Sequence, residues 1–226
     1  MICFVKNSLF EPHNLLPSDG EAINYGPIFS VEDSDHFFKK LMSGLPWRSD
    51  IIKMFGKTIT TTRKVVWVGD DGLDYTYSGA TKRPLPWTPL LKQLKNRVEE
   101  QLGESFNSCL LNLYHDGGEG MSWHRDNEST IVPHSTIASL SFGAKRRFHF
   151  KHIKTKERIT TELEHGSLLV MAGEIQSHWL HTLPKSKTIT SPRINLTFRK
   201  MKPLEVWVPS PFANTPSKER SNHHSS

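Results

Sequence analysis

Four side chains stand out for the chemistry they could do together: His124 and Asp126 in WHRDNE, and Arg193 and Arg199 in RINLTFR. Residues i and i+2 of an extended chain share a face, so the imidazole and the carboxylate would point the same way. That pair supplies two ligands of a 2-His-1-carboxylate facial triad, which leaves coordination positions open on a metal such as non-haem iron. The segment SHWLHTLP offers two candidates for the missing His, His178 and His181, and spacing alone does not choose between them. An H-x-D by itself is a weak signal. It gains weight from its place after the apolar run SCLLNLY and the glycine-rich turn DGGEGM, where a strand end could present both groups. Arg193, Asn195, Thr197 and Arg199 alternate with Ile194, Leu196 and Phe198, so one strand face would be polar and the other apolar. A guanidinium fork binds carboxylate bidentately and keeps its charge, which suits a dicarboxylate ligand. The plain alternative is a solvated sheet face, and a metal triad nearby weighs against it.

The rest of the chain must position these groups. Ser30 and Asp33 fit a capping box, and Phe37, Phe38, Leu41 and Met42 give an apolar face, which predicts a helix over 30–42. Thr88 as N-cap, Pro89 at the first turn, apolar residues at 90, 91, 94, 98 and 102, and a closing Gly103 predict a second. From Ser108 the apolar period falls to two, and SCLLNLY, TIASLSFG, RRFHFKH, GSLLVMAG, SHWLHTLP and RINLTFRKM read as strands. Two helices before a series of short, evenly spaced strands predict an antiparallel double sheet with helices on one face.

Composition narrows the class. The chain has 226 residues, 36% hydrophobic and 23% charged, which suits a soluble globular domain. Its formal charge of +6 favours a polyanionic partner, nucleic acid before membrane. Two cysteines, Cys3 and Cys109, are too few for a disulfide framework and fit a reducing compartment. The opening residues do not read as a secretory signal, and no run nears the roughly 18 apolar residues of a membrane span. A membrane protein, a disulfide-rich secreted domain and a coiled coil are the classes this excludes.

The ordered motifs NLY, HRDNE, IASLSFG, EHGSLLVM, HWLHTLP and PRINLTFRK make the stretch from Phe55 to Met201 resemble the AlkB family of Fe(II)- and 2-oxoglutarate-dependent dioxygenases. The resemblance implies a mainly β, α+β fold: a double-stranded β-helix (jelly roll) with supporting N-terminal helices. It implies an arm at 1–29, one dioxygenase domain over 30–208 with a nucleotide-recognition lid at 45–87 and the catalytic jelly roll at 108–201, and a disordered tail at 209–226. By resemblance, His124, Asp126 and His181 are the iron ligands. Asn112 and Tyr114 match the family's N-x-Y contact to 2-oxoglutarate. Arg199 would meet the distal carboxylate, and Arg193, counted with the catalytic set, would sit near the metal-side carboxylate and Asp126. Asn195 and Thr197 would line the pocket between them.

Within the family, MFGKTITTTRKVVWVGDDGLDYTYSG is similar to the branch that repairs double-stranded DNA. Phe55, beside Met54, Gly56 and Lys57, would be the finger that fills the gap left by an extruded base. Tyr75, Thr76 and Tyr77 would line the base pocket, with Tyr77 stacked on the base opposite the His124 ring. Asn127 and Glu128 would meet its exocyclic nitrogen; Asn127 departs from the acid common there. Arg63, Lys185 and Lys187 would contact the DNA backbone, with Ser186 interrupting the last cluster, and Arg146, Lys151 and Arg158 among others would add to a basic substrate side. The implied reaction is oxidative removal of alkyl groups from bases such as 1-methyladenine and 3-methylcytosine, releasing formaldehyde, succinate and CO2 with O2 consumed. The alternatives are the same chemistry on single-stranded DNA or RNA and, from another class, a non-catalytic nucleic-acid-binding β-sandwich. The resemblance implies a monomer with alkylated DNA as partner and no membrane, placed in the cytoplasm or nucleoid of a bacterium or the nucleus of a eukaryote.

Overall fold

The computed structural model describes residues 12–203 except 55, 56, 74, 78 and 79, and for the other residues of 51–59 and 74–82 it describes the backbone alone. In chain order the elements are β1 (Glu21–Pro27), α1 (Val31–Gly44), β2 (Arg48–Met54), β3 (Lys57–Gly69), β4 (Tyr75–Tyr77), β5 (Ala80–Lys82), α2 (Pro89–Leu102), β6 (Ser108–Tyr114), β7 (Met121–His124), β8 (Ile137–Gly143), β9 (Arg146–His152), β10 (Arg158–Leu163), β11 (Ser167–Ala172), the helical turn α3 (Ile175–His178), β12 (Trp179–Leu183) and β13 (Arg193–Arg199). They build a major sheet, β1-β11-β8-β13-β6-β3-β2, a minor sheet, β10-β9-β12-β7, and the small ribbon β4-β5. Two facing antiparallel sheets with helices on one side form a jelly roll.

Local sequence explains both long helices. The Ser30 hydroxyl accepts the Asp33 N–H at 3.0 Å, which starts α1. The Thr88 hydroxyl accepts the Leu91 N–H, Pro89 fills the first turn, and Gly103 closes α2 in the left-handed conformation at φ 67°. Their apolar faces, with Leu41, Leu91, Leu94 and Val98 fully buried, cover the outer face of the major sheet at Leu111, Leu140, Leu196 and Phe198. A second core fills the space between the sheets with Phe148, Phe150, Leu169, Met171 and Trp179. The alternation of β6 and β13 therefore sends apolar residues to the helix side and polar ones into the jelly roll, where the site lies.

Three segments differ from the sequence reading. Residues 21–27, read as part of an extended arm, form an edge strand whose Glu21 opposes Ala172 of β11. β3 runs through the segment read as a lid and joins the major sheet, with Val65 opposite Asn112 of β6. His178 lies in a helical turn rather than a strand, because the chain reverses at Gly173 (φ 66°) and re-extends only at Trp179. Residues 1–11 and the tail at 209–226 lie outside the described residues.

Candidate active site

β7 and β12 lie side by side in the minor sheet, with His124 directly opposite His181. Their rings meet edge to face at 4.2 Å between centroids. Asp126 follows β7, and one ligand atom from each of the three residues lies within 4.8 Å of the others. The Asp126 Oδ1 is 4.0 Å from His124 Nε2, while its Oδ2 takes both Arg199 Nε (3.2 Å) and Arg199 Nη2 (2.7 Å). The Asp126 N–H donates to Gln176 Oε1 at 2.9 Å, which pins the strand end. One carboxylate oxygen is thus held by protein, and the other faces the imidazoles.

Tautomers decide whether this cluster presents lone pairs. The His124 Nδ1 sits 2.7 Å from the Ser122 carbonyl oxygen, which can only accept. Nδ1 therefore carries the proton, and Nε2 offers its lone pair toward Asp126 and His181. A second His/Asp cluster, Asp19, His152 and His178, has the opposite arrangement. There the Thr155 N–H donates to His152 Nδ1 at 3.0 Å, so Nε2 carries the proton and donates it to Asp19 Oδ2 at 3.1 Å. His178 stacks on His152 and faces Glu174. That second cluster is a hydrogen-bonded strut; the first has the donor set a divalent metal requires.

Protonation states agree. Burial, with the neighbouring His124, pushes His181 down to about 3, so it is a neutral imidazole. Burial opposes ionisation of Asp126, but the Arg199 charge and its hydrogen bonds outweigh it and hold its carboxyl below the usual range. Arg199, although buried, is held above its ordinary value by that carboxylate.

Arg199 lies at the metal-ligand end, which reverses the order predicted for the two arginines. It is Arg199, not Arg193, that touches Asp126. Arg193 lies at the other end of β13, opposite Tyr114 and Gly143. It is buried, donates from Nη2 to Ser141 Oγ at 2.9 Å, and lies over the Tyr114 ring at 5.5 Å. Its Nε has no hydrogen-bond partner among the described residues. Between the arginines, the Asn195 amide donates to Ser139 Oγ and the Leu140 carbonyl, and its oxygen accepts from Thr197. These two predicted lining residues are buried but engaged with each other and β8. Asn112 and Tyr114 share the same interior. A buried guanidinium with an orphaned N–H, beside a Tyr and an amide, fits one carboxylate of a 2-oxoglutarate molecule.

Two basic residues predicted on the DNA-facing surface are interior. Arg63 is buried and donates to Asn112 Oδ1 (2.9 Å) and Asp50 Oδ2 (2.7 Å). Arg146 is buried and ties the carbonyls of Asp116, Glu119 and Pro184 together beneath the Tyr114 ring. Each lies on an inward-facing strand position, which a list of basic residues does not reveal. Lys185 and Lys187 are exposed, as are Asn127 and Glu128 just beyond Asp126. Phe55 and Gly56 lie outside the described residues; Lys57 and Tyr75–Tyr77 are placed by backbone only, in β3 and β4. Sequence reasoning missed Asp50, Ser139, Ser141 and Gln176, which are common polar residues with no motif around them.

The model of the 2OG-Fe(II) oxygenase superfamily matches residues 23–199. A Mus musculus protein, DNA oxidative demethylase ALKBH2, is 39% identical over 201 residues, covering 84% of each chain. The Homo sapiens protein of the same name is 37% identical over 195 residues, covering 81% of this chain and 75% of its own. Alpha-ketoglutarate-dependent dioxygenase alkB homolog 3 of Homo sapiens is 38% identical over 189 residues, covering 79% of this chain and 65% of its own. The solved structure of OsALKBH1 superimposes with a TM-score of 0.50 at 15% identity, covering 79% of this chain and 97% of the other, a likeness of fold alone.

Proposed function

The chain belongs to the 2OG-Fe(II) oxygenase superfamily, and from that premise we propose that it is a DNA oxidative demethylase acting on N-alkylated bases. It is a dioxygenase using Fe(II), 2-oxoglutarate and O2. The proposed metal ligands are His124 through Nε2, Asp126 through Oδ1, and His181. Arg193, Asn112 and Tyr114 are proposed to hold the distal carboxylate of 2-oxoglutarate, and Arg199 belongs to the metal side. Bound iron and cosubstrate would supply, with O2, the oxidation that hydroxylates an N-alkyl group, so that a methyl leaves as formaldehyde while succinate and CO2 are released.

The chain's own residues prepare that chemistry. The Ser122 carbonyl fixes the His124 tautomer. Burial keeps His181 a neutral imidazole, so one ring nitrogen retains its lone pair. Arg199 occupies one Asp126 oxygen and keeps the carboxylate ionised. Tyr75, Thr76 and Tyr77 are proposed to receive the extruded base, Asn127 and Glu128 to meet its edge, and Phe55, Gly56 and Lys57 to hold the opened duplex.

The observation that carries this reading is the lone-pair geometry at His124, Asp126 and His181, in a chain 39% identical to a DNA oxidative demethylase. One 3-methylcytosine placed in matched single- and double-stranded oligonucleotides tests it. Incubation with Fe(II), 2-oxoglutarate and ascorbate should remove one methylene mass. Asp126→Ala should abolish the reaction, and Phe55→Ala should depress it on the duplex far more than on the single strand. Succinate formation without loss of the methyl on either strand would overturn the DNA substrate. Equal loss on both strands in Phe55→Ala would overturn the finger.

A further inference from the structure

Arg63 is buried, and its guanidinium meets Asp50, Asn112 and the Met121 sulfur. Its Nη2 meets Asp50 on β2, and its Nη1 meets the amide oxygen of Asn112 on β6, in the interior of the jelly roll. A guanidinium can only donate, so the Asn112 atom facing it must be oxygen. The Nδ2 of Asn112 is thereby turned away from Arg63. Its neighbour in register, Asn195, has no such freedom, because both ends of that amide are taken. Around Tyr114 on the inner face of the major sheet lie the Arg193 Nε, unpartnered among the described residues, and the Asn112 amide nitrogen, turned away from Arg63.

We propose that Arg63 is a positioning residue for the cosubstrate: it locks the Asn112 amide with its N–H groups toward the carboxylate of 2-oxoglutarate. Without Arg63 the amide is free to flip and present oxygen to an anion. The inference rests on the reading that Asn112 and Arg193 hold 2-oxoglutarate.

The test is calorimetric titration of 2-oxoglutarate into the full chain loaded with Mn(II), beside anisotropy measurements of duplex binding. Arg63→Ala should weaken 2-oxoglutarate roughly tenfold, the worth of about one hydrogen bond to a charged group, and leave duplex affinity unchanged. Asn112→Asp keeps an acceptor for Arg63 but has no N–H to give. It should lose cosubstrate affinity at least as far while keeping its melting temperature, which separates the donor from the fold. Unchanged 2-oxoglutarate affinity in Arg63→Ala would overturn the proposal, and a fall in duplex affinity instead would return Arg63 to a phosphate role. Failure of the wild type itself to bind 2-oxoglutarate would overturn the underlying cosubstrate reading, an outcome distinct from both.

Discussion

Arg193 is a buried cation with no carboxylate against it among the described residues; Ser141 and the Tyr114 ring are its company. Burial pushes it down to about 10, and its Nε is orphaned. Such a group destabilises the protein until an anion arrives, by roughly 1–3 kcal/mol for the unmade hydrogen bond. Arg193→Met, similar in length and uncharged, should therefore leave the ligand-free melting temperature equal or higher, and should erase the rise that 2-oxoglutarate gives the metal-loaded wild type. A large fall in the ligand-free melting temperature would mean that Arg193 serves the fold instead. The two arginines also mark how far residue patterns reach. Their spacing placed both on one polar face of one strand, but a face has no labelled ends. Only the pairing of Arg199 with Asp126, 73 residues away in the chain, orients it. The same holds for Arg63, which looks like any basic residue until β6 supplies Asn112.

Elements built on local signals were readable, and those built on pairing were not. The α2 helix has its N-cap, its Pro and its closing Gly written in adjacent residues, and the strands from Ser108 onward show their period directly. β3 does not: in KTITTTRKVVWVG the side facing the helices is defined by register with β6, a non-local choice. Two substitutions separate the kinds of element. Thr88→Ala removes one cap and should cost about 1 kcal/mol, or roughly 2–4 °C in melting temperature for a chain of this size. Gly143→Ala should cost more. Gly143 ends β8 at φ 87°, and a Cβ there would press on the Pro192 carbonyl and come within 2.7 Å of the Phe38 ring. The left-handed strain alone is about 1–2 kcal/mol, and α1 would have to shift as well. Urea denaturation of the two variants checks the order; a smaller effect for Gly143→Ala would mean that the β8–β9 corner relaxes.

Across the whole molecule, a charge of +6 favours a polyanionic partner, but the net number does not say which cations would meet it. Several are already committed. Arg63 and Arg146 are interior, Lys145 pairs with Glu162 and Glu164, Arg199 with Asp126, and Lys200 with Glu104. Lys185 and Lys187 are exposed just beyond β12, the strand that carries His181. Phosphate contact releases condensed counterions, so the logarithm of duplex affinity should fall linearly with the logarithm of salt concentration, with a slope of about 0.9 per phosphate neutralised. Replacing both Lys185 and Lys187 by Gln should flatten that slope by up to two such units. Asp126→Ala should leave it unchanged, because a metal ligand within the site neutralises no phosphate. Anisotropy of a labelled duplex over a potassium chloride series reads both. An unaltered slope in the double lysine variant would move the DNA track from the β12–β13 connection to the basic side of β9 and β10, where Arg147, Lys154, Lys156 and Arg158 are exposed.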